Sequence, residues 1–157
     1  MPHADGAHSE SFHGQQHFLL EVEHITDQIH SVVGGFSKLS GMESHTEVIE
    51  YKPGNDLYVR RIPGRTYYNN IVLERGFTCN DDLYNWRLEI AQGSRVRRSG
   101  SVIVLDHSHA EVSRYNFYDA WPVMWKAPEM DATGSDTAIE QLELSVEYIE
   151  FVRAPRR

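Results

Sequence analysis

The sequence predicts a mainly-β domain, a β-barrel or two-sheet sandwich, with one packed α-helix. Three observations carry this. Alternating apolar and polar runs recur along the chain, clusters of glycine, proline and asparagine separate them, and only one segment has helical spacing. At 157 residues and 40% hydrophobic content, one core can bury roughly two-thirds of the unfolded surface.

Residues 1–15 are polar, small and dotted with His3, His8 and His13, and are expected to form a flexible arm before a domain spanning 16–152. In His17–Glu23, Phe18, Leu20 and Val22 share one face while Glu21 and Glu23 share the other, which is strand spacing. Ile29–Leu39 is a second β-rich run, with a bend expected at Gly34-Gly35. Thr46–Tyr51 is a third, closed by the turn signal Lys52-Pro53-Gly54-Asn55-Asp56. The stretch from Tyr51 to Tyr68 carries Pro53, Gly54, Asn55, Arg60, Arg61, Pro63, Gly64 and Arg65 and reads as one long loop.

Tyr68–Phe77 reads as a further strand. Asn80-Asp81-Asp82 then supplies an N-cap and acidic first turn for a helix from Asp81 to Gln92, anchored by Leu83, Trp86 and Ile90 and stopped at Gly93. Ser101–Leu105 is almost continuously apolar and is expected to be covered on both faces. It forms a hairpin with Val112–Trp121 across His107-Ser108-His109-Ala110. Ile139–Val152 reads as one long strand, with Leu142, Leu144, Val146 and Tyr148 toward the core and Gln141, Glu143, Ser145 and Glu147 toward water. Residues 153–157, Arg-Ala-Pro-Arg-Arg, form a basic tail.

The net charge of −8 argues against a dedicated nucleic-acid binder, which would show a basic stripe, although the Arg60/Arg61/Arg65 and Arg95/Arg97/Arg98 clusters suggest self-association. The lone Cys79 gives no disulfide and no thiolate zinc site, no apolar run approaches the length of a membrane span, and the opening lacks the core of a secretory signal, so an intracellular origin is expected. His107, His109 and Glu111 have the spacing of ligands on one strand face, but small residues intervene and a turn is the expected state. No nucleophile elbow or phosphate loop is present, and Glu140, Glu143, Glu147 and Glu150 read as a solvated strand surface. No enzyme activity, cofactor or metal is expected. A β-sandwich binding module and a small metal-dependent β-barrel enzyme stand as the alternatives.

Gly35-Phe36-Ser37-Lys38-Leu39-Ser40-Gly41-Met42-Glu43, Arg61-Ile62-Pro63-Gly64-Arg65-Thr66, Asn70–Gly76, Leu83-Tyr84-Asn85-Trp86, Arg98–Ser101, Tyr115–Pro122 with Trp125, and Ile139–Leu144 form an ordered set of motifs. Together they resemble the tube proteins of contractile phage tails and related extracellular injection particles, the first being similar to that family's GFSEVSGLE segment. The resemblance implies a tail-tube fold like that of haemolysin-coregulated protein, in a structural subunit that forms six-membered rings stacked into a tube. It further implies sheath, baseplate or spike, and tube-terminator proteins as partners, DNA or protein cargo passing through without specific binding, and no membrane insertion by this chain. Assembly is expected in the bacterial cytoplasm, the product being a virion tail or an extracellular particle. By the same resemblance the 51–68 segment reaches the next ring. With six subunits of about four strands spaced about 4.8 Å and tilted about 40°, the backbone diameter is about 48 Å, too wide for side chains to fill. The bore must then be wet, and Glu21, Glu23, Gln141, Glu143, Ser145 and Glu147 are the candidates to line it, making it acidic.

Overall fold

The computed structural model describes residues 17–25, 30–76, 81–129, 132–134 and 138–154. The expected arm 1–15, Asn80 and residues 155–157 lie outside them. In chain order the elements are β1 (His17–Glu23), β2 (His30–Phe36), β3 (Lys38–Ser40), β4 (Ser44–Tyr51), β5 (Arg60–Tyr68), β6 (Ile71–Gly76), α1 (Asp82–Ala91), β7 (Arg98–Leu105), β8 (Glu111–Lys126), β9 (Ile139–Ser145) and β10 (Tyr148–Arg153).

All pairings are antiparallel; apart from the separate β4–β5 pair they follow the path β2-β1-β7-β8-β9-β6-β3, with β10 also on β8. The sixteen-residue β8 belongs to two layers. Its first part lies between β7 and β10, with Tyr115 opposite Val102 and Phe151, and its last part, Trp121–Lys126, pairs with β9. The layers are therefore β2-β1-β7-β8-β10 and β8-β9-β6-β3, packed as a sandwich. Of the two expected architectures the sandwich is present and a closed barrel is not. The path ends at β2 and β3, which are consecutive in the chain through Ser37 and do not pair with each other. Pro122 sits inside β8, where β7 has already ended at the Arg98–Ala120 pair and only β9 remains as partner; a residue without an N–H is tolerated on such a one-sided strand.

The core follows the alternation. Leu20, Val22, Val102 and Phe117 enter it from the first layer, Ile71, Leu73, Leu142 and Leu144 from the second, and Leu83 and Trp86 from α1. Each such side chain contributes about 1.5–3 kcal/mol by leaving water. Ser101–Val104 is buried on both faces, as its apolar run predicts. Gly41, at φ +84, ends the β3 segment where a Cβ would lie 2.0 Å from the Asn70 carbonyl oxygen, so the close approach of the two backbones needs glycine.

Asp81 stands at the N-cap of α1 as expected, though without a side-chain capping bond, and Gly93 at φ +98 stops the helix, its amide donating to the Ile90 carbonyl. Two expectations are corrected here. The Ile139–Val152 run breaks at Val146-Glu147 into β9 and β10, so Tyr148 is exposed rather than buried. The Tyr51–Tyr68 segment is not one long loop: from Arg60 it is strand β5, paired with β4 from Tyr51–Arg60 to Ser44–Tyr68.

Candidate assembly surface

β4 and β5 form a two-stranded sheet separate from the sandwich. All of β4 is exposed, and so is β5 apart from Gly64 and Tyr68. An isolated two-stranded hairpin is marginally stable at best in water, and this one is unusually apolar. Val48 opposite Pro63 and Ile49 opposite Ile62 fall on successive, oppositely facing rows, and the connecting segment carries Leu57 (88% exposed) and Tyr58 (75%). Arg60 pairs with Asp56 (2.9 Å), Arg61 with Glu50 (3.1 Å) and Arg65 with Glu47 (3.3 Å), with the guanidinium groups largely in water. Of the predicted loop residues, Pro53, Gly54 and Asn55 are in the connection, while Arg60, Arg61, Pro63, Gly64 and Arg65 are on β5. At the hairpin base, Glu43 Oε2 accepts from Asn69 Nδ2 (3.0 Å) and contacts His45 Nε2 (3.1 Å), and His45 stacks on Tyr67.

The outward face of the second layer is polar over most of its width. One register row runs Lys38, Glu74, Gln141, Lys126 across β3, β6, β9 and β8. The next runs Ser40, Val72, Glu143, Met124, and Ser145 opposite Trp121 lies beyond it. Lys38 reaches Glu74 (3.8 Å) and Asn70 donates to Glu143 (2.9 Å). Lysines match glutamates here, Lys38 and Lys126 against Glu74 and Glu143, so this face is charge-balanced rather than acidic. Sequence reasoning missed Lys38, Ser40, Glu74 and Lys126; the alternation of β6, with Ile71 and Leu73 buried between half-buried Val72 and Glu74, was the available signal.

Glu21 and Glu23 are half-buried on β1, in the other layer, where Glu21 meets Arg114 (3.3 Å). The predicted bore residues therefore divide between outward faces of opposite layers, and one bore cannot take both sets. Glu147 sits at the β9–β10 break, ion-paired with Arg97. Of the helix anchors, Leu83 and Trp86 are buried and Ile90 is half-buried; Tyr84 packs edge-on to Trp125 of β8 (5.0 Å).

Glu140 does not lie on a solvated surface. It is 4% exposed, accepts from Arg75 Nε (2.8 Å) and from Trp125 Nε1 (2.6 Å), and Arg75, itself 2% exposed, also lies over the Phe36 ring. His107 and His109 occupy the β7–β8 turn, where Asp106 Oδ1 accepts from the Ser108 amide (2.8 Å), the Ser108 hydroxyl (2.7 Å) and the Ala110 amide (2.9 Å). These bonds hold the Asp106 carboxyl below the usual range. His109 adopts φ +61 in that turn. Glu111 is likewise lowered, by its bond to Arg114, whose own value is raised, and Tyr118 is raised by donating to Glu150 (2.9 Å). Among the described residues no three histidine, cysteine, aspartate or glutamate side chains converge as a metal cluster.

A family model for the T4-like virus tail tube protein gp19 matches residues 15–150. The chain belongs to that tail tube family. No curated protein sequence matches it significantly. Similar solved structures include a chain of the sheath–tube complex of the extracellular contractile injection system PVC in its extended state, at 21% identity and TM-score 0.72 over 87% of this chain and 88% of that one. A chain of the 6-fold symmetrised baseplate of the anti-feeding prophage gives 18% identity and TM-score 0.72 over 90% and 94%. Hcp1 from Flavobacterium johnsoniae shares the fold more distantly, at 17% identity and TM-score 0.52 over 87% and 95%. This is a tail tube protein, a structural component built on the tail-tube fold, and no helix among its described residues is long and apolar enough to cross a membrane.

Proposed function

We propose that this tail tube protein closes into six-membered rings, and that the rings stack into a hollow tube inside a contractile sheath, with a baseplate or spike at one end and a terminator at the other. Family membership across residues 15–150 carries this reading, and neighbours from a sheath–tube complex, a 6-fold symmetrised baseplate and a tube-terminating cap support it. Assembly takes place in the bacterial cytoplasm, and DNA or protein cargo crosses the bore without specific binding. The role is structural, without catalysis.

The second layer is the wall that faces the bore. It has the four strands that the circumference estimate asks of each subunit, and its outward face is polar enough to stay wet. The first layer's outward positions include half-buried Leu19 beside Ile103, which the chain itself already covers, so this face does not suit a wet wall. Gln141, Glu143 and Ser145 then line the bore beside Lys38 and Lys126, and Glu21 and Glu23 do not. Balanced charge on such a wall gives neither nucleic acid nor an acidic protein a continuous counter-charge to stick to. Pro53–Arg65, the hairpin arm, reaches the neighbouring ring with Arg60 and Arg61 at that contact.

Negative-stain microscopy of the purified protein tests the assembly. Rings or tubes with a central channel are expected, and a monodisperse monomer at all concentrations would refute it. Ser145→Cys, in a Cys79→Ser background, tests the wall assignment. A bulky maleimide should label it quickly in free subunits and only through the tube ends after assembly; equal rates in both states would remove this face from the bore.

A further inference from the structure

Two-residue periodicity decides which face of a strand is buried, but not which residues stand opposite one another. The buried residues of β6 are Ile71, Leu73 and Arg75, and those of β9 are Glu140, Leu142 and Leu144. A slip of one residue between these strands is excluded, because it would turn Leu142 and Leu144 to water. A slip of two residues keeps every side chain on its own face. Aliphatic groups then still meet aliphatic groups, Ile71 against Leu142 or Leu73 against Leu144, in place of the observed Ile71–Leu144 and Leu73–Leu142 pairs. Leucine and isoleucine exchange at small cost, so these contacts separate the registers weakly. The approach to β9 does not fix it either, since residues 127–138 separate it from β8, a connection long enough to take up the shift.

We propose that Glu140 sets the register of β9 against both strands that flank it. Its two oxygens take one donor from each side, Arg75 Nε of β6 on Oε2 (2.8 Å) and Trp125 Nε1 of β8 on Oε1 (2.6 Å). Glu140 is 4% exposed and Arg75 2%, so neither charge has water to fall back on. A two-residue slip displaces β9 by about 7 Å, beyond reach of both donors. In one direction it sets Glu140 opposite Leu73, and in the other it sets Arg75 opposite Leu142. Either arrangement places a buried charge against leucine, a penalty far larger than an exchange of one aliphatic group for another. Arg75 is itself located by the first layer. Its guanidinium lies 5.4 Å over the Phe36 ring, and a Cβ on Gly34 would stand 2.7 Å from Nη1, so β2 closes over it. Only Val146 and Glu147 separate β9 from β10, and a slipped β9 would draw β10 out of its Tyr148–Tyr118 pairing on β8. Glu140 is thus a positioning residue of the single chain, and this role holds whether or not the subunit forms a tube.

Intramolecular disulfides in unassembled subunits, in a Cys79→Ser background, report the register. Val72 of β6 faces outward opposite Glu143. Val72→Cys is combined with Glu143→Cys for the observed register, and with Gln141→Cys or Ser145→Cys for the two slipped ones. With Arg75 and Glu140 in place, the 72–143 disulfide should dominate. Arg75→Leu with Glu140→Leu should stay folded by circular dichroism and raise the 72–141 or 72–145 yield at least tenfold relative to that of 72–143. The exchanged pair, Arg75→Glu with Glu140→Arg, again sets opposite charges at one site and should return 72–143 to dominance. A leucine pair that cross-links only at 72–143 would overturn the proposal, as would an exchanged pair that slips like the leucine pair. Should the leucine pair not fold, Arg75→Met with Glu140→Gln takes its place under the same criteria. Failure of both to fold would also overturn it, because a residue that only selects the register is dispensable for folding itself.

Discussion

Glu140→Ala isolates the energetics of the buried charge that ties β9 to β6. Arg75 and Glu140 are directly opposed in the β6–β9 register, with side chains 3% and 5% exposed and 2.8 Å apart. Removing the carboxylate takes the Glu140 counter-charge from a guanidinium that stays buried, a change that costs up to about 3–5 kcal/mol. It also strips the acceptor from Trp125 Nε1, worth a further 1–3 kcal/mol or so if no water reaches the gap. The two losses share one site and do not add fully, so a total of about 4–6 kcal/mol is expected. In a chain of this size that lowers Tm by roughly 10–20 °C. Replacing the whole pair, Arg75→Leu with Glu140→Leu, removes the stranded charge and should recover most of the loss. The assay is urea unfolding of unassembled subunits followed by tryptophan fluorescence, with circular dichroism as a second probe to check two-state behaviour. A single variant within 0.5 kcal/mol or so of the parent would show that Arg75 is solvated or otherwise balanced in solution, and the reasoning would fail. A double variant as unstable as the single would place the cost in packing around Phe36 and Trp125 instead.

Three other outcomes follow from particular contacts. Trp86→Ala removes a side chain that is 2% exposed between α1 and the core, and should cost about 3–5 kcal/mol by the same unfolding assay; an unchanged midpoint would mean the helix does not dock there. Asp106 has a depressed folded-state value, so its contribution to stability is complete above the unfolded value of about 3.9 and is lost as pH falls through the lower folded value. Asp106→Asn should flatten that acid limb of the stability profile, and an identical acid limb in both proteins would refute it. Arg60→Glu with Arg61→Glu reverses two exposed charges that contribute nothing to the core and should leave the subunit folded while shortening or abolishing tubes, with partial rescue by salt. Full-length tubes from that variant in negative stain would remove these arginines from the ring-to-ring contact.

Strand and helix identity was legible wherever the chain supplies its own water-facing side. In β9 and the residue after it, Leu142, Leu144 and Val146 are buried and Gln141, Glu143 and Ser145 less so, as alternation requires. α1 appears between its acidic first turn and Gly93, and Ser101–Val104 is covered on both faces. Glu140 shows where two rules conflicted. Its position, two residues before Leu142, puts it on the core face, while its charge suggested water. Spacing won because Arg75, 65 residues away in sequence yet opposite Glu140 in register, neutralises it, and that pairing is not visible from either residue alone.

The misreading of β5 has a different cause, and it bears on function. Pro63 and Gly64 in one strand, with arginines around them, break every local rule for a strand that must pair on both sides; they break none for a strand paired on one side only. The 51–68 segment looked like a loop because it lacks a face that this chain can bury. Its partner β4, by contrast, keeps an uninterrupted strand sequence although nothing in the single chain covers its far edge. A sequence that retains Val48, Ile49 and Tyr51 on a strand exposed to water on both faces is consistent with a single energetic logic: those residues are buried in another state of the molecule. The same holds for β10. The positions least readable from local rules are thus the ones that the single chain leaves exposed, and a neighbouring subunit of the proposed tube is what would cover them.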